Sequence, residues 1–259
     1  MTYGLVITAR CDIAQDKYPV LNYLPVVPLQ SWLKHDGLKI LLEREKKNMD
    51  GRIRSILKEA GVSDTIMLSV DIQEIGRVHF PSDIGTKAEK KRALRFSVLS
   101  EEKQKIESLV EEGDNAKIVH WFALHRKSSI EELIGTLSKH DLAGYYLFER
   151  LTNEVASEPE AFVCLLRDVS AIPRSLAIYV SNGISRHVFS ENYDGTVLDQ
   201  LNIPEGELSM PIICIGSPTI EHVMQEFSYL FSRIGLDDPD TATIKTIQSI
   251  CTTEGPQIA

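Results

Sequence analysis

The sequence predicts a mixed α/β (α+β) fold, with a β-sheet or small barrel core built from N-terminal and central strands, a helical insertion and a C-terminal amphipathic helix. Three observations carry that expectation. Residues 3–8 and 20–29 are apolar and rich in β-branched and aromatic side chains, with a polar stretch at 10–17 between them. Residues 31–60 switch to helical periodicity, with Met49, Ile53, Ile56, Leu57 and Ala60 recurring at three- and four-residue steps. Near the C-terminus, Ile220, Val223, Met224, Phe227, Leu230, Phe231 and Ile234 form one continuous apolar stripe.

Taken in order, 3–8 and 20–29 read as two strands joined by a loop at 10–17. Pro19, Pro25 and Pro28 remove ladder donors, which predicts an edge or short irregular position for the second strand. Gly37 and the 48–51 region favour a helical hairpin or two consecutive helices over one unbroken helix through 31–60, and Gly61 reads as its C-cap. Segments 65–70, 75–80, 93–99 and 116–124 read as strands, and 100–112 as a helix started by Ser100 and ended by Gly113. Ser128 and Glu131 have the spacing of a capping box, before a helix that buries Ile130, Leu133, Ile134 and Leu137. Segment 162–166 is a further strand, Asn182-Gly183 suits a type I′ hairpin turn within 178–189, and 210–215 is another short strand. Ser217 and Pro218 open the last amphipathic helix and Gly235 closes it. A short helix over 240–251 and a polar tail complete the chain. The whole reads as one α+β domain over 1–259, with a division into 1–115 and 116–259 as the alternative.

The composition, 43% hydrophobic and 25% charged over 259 residues, is that of a globular protein. No run is long and apolar enough to span a bilayer, the first residues lack the features of a signal peptide, and a cytoplasmic location is the default expectation. Acidic residues outnumber basic ones 37 to 28, and the net charge of -9 opposes diffuse binding to phosphate backbones or anionic lipid. Nucleic-acid binding therefore needs a local patch, which Lys87, Lys90, Lys91, Arg92 and Arg95 offer; a solvated face is the plain reading of that cluster and a phosphate contact the functional one.

Cys11, Cys164, Cys214 and Cys251 show no paired spacing, so neither a zinc ribbon nor a disulfide framework is expected. Cys164 and Cys214 sit in apolar runs where free cysteine packs as a small hydrophobe. Cys11 differs, because it follows an apolar strand and has Arg10, Asp12 and Lys17 nearby, charges that tune a thiol in opposite directions. The plain reading packs Cys11 into the sheet edge and has Asp12 cap the loop; the functional one makes Cys11, Asp12 and Lys17 catalytic. His120 and His125 have the wrong separation for a helical zinc pair, and neither a metal nor a cofactor is expected. No nuclease, Walker, dinucleotide, nucleophile-elbow or zincin motif is present.

The element Leu5-Val-Ile-Thr-Ala-Arg-Cys-Asp-Ile, with Lys17 and the Leu-Pro-Val-Val-Pro run at 24–28, resembles the start of a bacterial family of unassigned activity from phage-defence and mobile-element neighbourhoods. The run from Ile215 to Gly235 is similar to that family's ending, a Ser-Pro helix with an Arg-Ile-Gly or Arg-Val-Gly close, which makes Arg233 a further binding residue by resemblance. The first strands also look distantly like the SH3-like barrels of the MazF and PemK toxins, although the acidity and the helical insertion after Leu29 depart from that pattern. That likeness would put Cys11, Asp12 and Lys17 on an RNA-working loop. The resulting expectation is a non-catalytic binding or regulatory component of a bacterial defence or mobile-element system that acts through a protein partner. The alternative is a MazF/PemK-like enzyme directed at nucleic acid or nucleotide from the Cys11-Asp12 loop.

Overall fold

The computed structural model describes residues 3–83, 85–151, 161–185, 203 and 206–232. The two N-terminal strands form as expected: β1 (Tyr3–Val6) and β2 (Val20–Pro28) pair antiparallel, with Tyr3 opposite Val26 and Val6 opposite Tyr23. Three further strands, β3 (Tyr145–Phe148), β4 (Phe162–Leu165) and β5 (Ser170–Pro173), complete an antiparallel sheet of order β1-β2-β4-β3, with β5 on the N-terminal half of β2. The sheet stays open, so the small-barrel form of the core is not what these strands build.

β2 lies at the centre of the sheet, which corrects the expectation of an edge strand. The Ile7 N–H donates to the Asn22 carbonyl across the β1 side, so even-numbered positions of β2 turn their backbone groups to β1 and odd-numbered ones to the opposite flank. Pro25 therefore lacks its donor on the flank between Tyr23, which lies opposite Ser170 of β5, and Val26, which lies opposite Cys164 of β4, a gap that requires no ladder bond. Pro28 turns toward β1 beyond the Tyr3–Val26 pair, and Pro19 precedes the strand.

The 10–17 segment contains a short helix, α1 (Arg10–Ala14), rather than an open loop. After β2, α2 (Leu29–Trp32) passes through a π-helical turn (Leu33–Gly37) into α3 (Leu38–Glu59), so the expected hairpin is a continuous helical run. Gly37 serves close packing there: a Cβ on it would lie 3.0 Å from the buried Trp32 ring and 3.2 Å from Leu33. Gly61 ends the helix as expected, at φ 71°, with the Gly61 and Val62 N–H groups donating to the Lys58 and Leu57 carbonyls in a Schellman pattern.

The four segments read as strands between 65 and 124 are helical. Thr65 to Leu68 lie in a 3-10 turn (Asp64–Leu68), and the others fall in α4 (Ile72–His79), α5 (Lys87–Glu112) and α6 (Asn115–His125). Each starts at a side-chain cap: Ser63 accepts from Thr65 N, Asp71 from Gln73 N, and Asp114 from Ala116 N and Lys117 N, while Thr86 and Glu89 form a reciprocal capping box. Buried side chains then recur at helical steps, Ala93, Phe96, Leu99 and Ser100 in α5 and Ile118 and Phe122 in α6. Ser100 is thus mid-helix, whereas Gly113 ends α5 as expected, at φ 72°.

The box expected at Ser128 does not form. The next helix, α7 (Lys127–Ser138), starts after Arg126 with no side-chain cap, and Glu131 pairs instead with Lys127 at 3.5 Å. Asn182-Gly183 closes a helix, α8 (Arg174–Ser181), rather than turning a hairpin; the positive φ of Gly183 serves that ending. β6 (Ile184–Ser185) pairs with β7 (Leu208–Ser209), and 210–215 form no strand. The last described helix, α9 (Thr219–Ser232), begins one residue after Pro218. Its expected close at Arg233 to Gly235, the 240–251 helix and the tail lie outside the described residues.

The sheet separates two apolar layers. Leu24, Val26, Tyr146, Phe148, Phe162 and Cys164 face α9, whose Val223, Phe227 and Leu230 pack on them. The opposite face, with Val27, Val163 and Leu165, is covered by Trp32, Leu41, Phe122, Leu133 and Leu137 from the helices. A separate cluster of Ile53, Ile56, Leu57, Ile75 and Phe96 holds the far half of α3 to α4 and α5. No helix among the described residues is long and apolar enough to cross a membrane.

Candidate functional site

The N-terminal element is built by its backbone. Thr8 Oγ1 takes the Asn22 N–H at 2.7 Å where the β1–β2 ladder ends, and the Lys17 N–H closes α1 on the Asp12 carbonyl. Cys11, Asp12 and Lys17 are all exposed, so Cys11 does not pack into the sheet edge. The Cys11 thiol donates to the Asp12 carboxylate at 3.7 Å, with no histidine or lysine bonded to it among the described residues. Asp12 caps no loop; Asp16, at φ 60°, is the anchor instead and pairs with Arg174 at the start of α8. Arg10 donates to the Cys214 sulfur at 3.0 Å, and Cys214 is exposed, contrary to its expected burial. Cys164 is buried as expected, and desolvation pushes its thiol up to about 12.

The basic cluster divides. Arg92 donates to the Glu59 carbonyl at the end of α3, and Arg95 pairs with the Glu59 carboxylate at 3.0 Å, so both brace helix to helix. Lys87, Lys90 and Lys91 are exposed and form no ion pair among the described residues. They continue along α5 into an exposed stripe: Lys87, Leu94, Val98 and Lys105 recur at steps of seven, four and seven, returning to within about 40° of one direction. Leu94 is 66% exposed and Val98 45%.

The stripe ends at a shallow groove of about 410 Å³ between α5 and α6, with Lys105 and Leu109 on one wall and His120, Trp121 and Leu124 on the other. Its position is fixed from beneath. Arg126 donates from Nε to the buried Glu45 at 2.8 Å and from Nη2 to Glu102 at 2.7 Å, and its guanidinium lies 5.6 Å from the Trp121 ring centre. Burial works against the charge on Arg126, and the two carboxylates outweigh it, holding the guanidinium above its ordinary range. One residue thus ties α3, α5 and the groove wall together.

A second cluster lies where α9 meets β3. Tyr146 Oη and His222 Nδ1 are 3.1 Å apart, His222 Nε2 is 3.8 Å from Glu226, and the His140 ring stacks on Tyr146 at 4.1 Å. His140 Nδ1 is buried without a hydrogen-bond partner among the described residues. Burial lowers the His140 pKa, helped by His222 and opposed by Glu226 and Asp141. Sequence reading missed both assemblies, because their members lie far apart in the chain and share no spacing. Among the described residues no group of three or more His, Cys, Asp or Glu side chains is arranged to hold a metal ion. Arg233 lies outside the described residues. Comparison of the chain with protein-family models, curated proteins and solved structures finds no match.

Proposed function

We propose that this chain is a non-catalytic binding component whose α5 stripe and adjoining groove seat an acidic amphipathic helix of a protein partner. One observation carries the reading: in a chain of net charge -9, four lysines without described ion pairs flank exposed Leu94 and Val98 on a single helix face. That face leads into a groove walled by Trp121, Leu109 and Leu124. Interfaces of the helix-in-groove kind use apolar anchors at such spacings, with surrounding charge setting partner choice. From Lys87 to Leu109 the stripe runs for about 33 Å, room for a partner helix of several turns. A place in a bacterial phage-defence or mobile-element system belongs to the same proposal and rests on the resemblance at the two ends of the chain. The ribonuclease alternative draws no support from Cys11, which has no base bonded to it among the described residues, or from Arg92 and Arg95, which are engaged by Glu59.

The test compares the wild type with Lys87→Glu/Lys90→Glu/Lys91→Glu in the native cells and with labelled oligonucleotides. The proposal expects one protein to be retained by the wild type and lost from the triple variant, with no oligonucleotide bound by either at physiological salt. A partner retained unchanged by the variant, or salt-sensitive oligonucleotide binding that the variant abolishes, overturns it.

A further inference from the structure

α9 roofs the sheet face that carries Leu24, Val26, Phe162 and Cys164, and the polar edge of that roof is His140, Tyr146, His222 and Glu226. We infer that this edge is a proton-sensitive latch: α9 is seated on the sheet while His140 and His222 are neutral and lifts from it when both are protonated.

With His222 neutral and its proton on Nε2, the Tyr146 hydroxyl donates to Nδ1, and Nε2 lies 3.8 Å from a Glu226 carboxylate oxygen. The two rings differ in setting: the His222 side chain is 44% exposed with the Glu226 carboxylate alongside, whereas a proton on His140 meets no such accommodation. The groups that face His140 are Tyr146 from β3, His222 and Glu226 from α9, and Asp141 beside it in the chain. The two carboxylates favour the proton, but the buried Nδ1–H would find no acceptor among the described residues, and a second cation would stand 4.9 Å from the His222 ring. Lifting α9 gives both imidazolium rings to water and separates them. The apolar contacts of Val223, Phe227 and Leu230 hold the helix down until that repulsion appears.

Cys164 reports the opening, because it is fully buried beneath this roof. In the full chain carrying Cys11→Ser, Cys214→Ser and Cys251→Ser, Cys164 is the sole thiol. Its rate with a dipyridyl disulfide, which reacts in acid, is divided by the rate in concentrated urea at the same pH, cancelling the intrinsic change in thiolate. The ratio is expected to rise at least about tenfold between roughly pH 7.5 and pH 5.5, with the helical circular dichroism signal unchanged and the rise absent in His140→Asn. Asn accepts the left-handed backbone that His140 adopts at φ 58°. If that variant does not fold, His222→Gln, whose amide oxygen still accepts from Tyr146, is expected to remove the rise. A ratio independent of pH, a rise that persists in the folded variants, or a rise that accompanies loss of the helical signal overturns the latch.

Discussion

Arg126 Nε lies 2.8 Å from Oε1 of Glu45, a carboxylate that is only 4% exposed, and the same guanidinium reaches Glu102 and covers Trp121. Removing the cation leaves a buried carboxylate unpaired, a change that costs about 3 to 5 kcal/mol, whereas removing both charges with apolar replacements is close to neutral. Arg126→Met is therefore expected to lower the urea midpoint sharply, and Glu45→Leu/Arg126→Met to recover most of the loss. Equal loss in the single and double variants would show that the pair is not what holds α3 to the groove wall.

Helix α5 starts at the reciprocal Thr86–Glu89 box, while the Ser128–Glu131 spacing forms none. Thr86→Ala should then cost about 1 kcal/mol of unfolding free energy and Ser128→Ala close to nothing. Chemical denaturation of the two variants side by side checks this, and the reverse ranking would move the start of α5.

Local signals in the sequence set part of this fold and distant contacts the rest. β1, β2, β4, the C-terminal amphipathic helix, the ends at Gly61 and Gly113 and the burial of Cys164 were all expected, because apolar runs and positive-φ glycines act locally. The middle of the chain differs from expectation where short apolar runs such as 93–99, with Phe96 and Val98, and 116–124, with Ile118, Val119, Trp121 and Phe122, resemble strands. In those places the caps, Thr86 with Glu89 and Asp114 ahead of α6, were the stronger signal. The central position of β2 was hidden because the gap that accommodates Pro25 is made by two strands distant in sequence. The Glu45–Arg126 and Tyr146–His222 contacts join residues 81 and 76 positions apart, which no spacing rule reaches.

The cysteines separate by reactivity. Cys11 and Cys214 are exposed, and burial pushes Cys164 up to about 12. In a Cys251→Ser chain at pH 8, two thiols should react with an aromatic disulfide within minutes and the third only after urea is added. Prompt reaction of three would place Cys164 at the surface.

The pH dependence of stability has a definite sign. The His140 pKa is lowered, by burial first and then by His222, from its ordinary value of 6.5. The unfolded chain then binds more protons between the two values, so stability is full above about pH 6.5 and declines as the pH falls toward the folded value. Urea midpoints at pH 7.5 and 5.5 should differ in the wild type and draw together in His140→Asn. A larger difference in the variant would reverse the assignment.

Site-specific photo-crosslinking in the native cells asks whether the α5 stripe meets a partner protein. A photoreactive residue is placed at Leu94, at Leu124, or at exposed Gln15 beyond α1 as the control. Leu94 and Leu124 should crosslink to the same protein, through an acidic helical segment identified by mass spectrometry, and Gln15 should not. Crosslinks to nucleic acid from Leu94, or the same protein captured equally from all three positions, would contradict it.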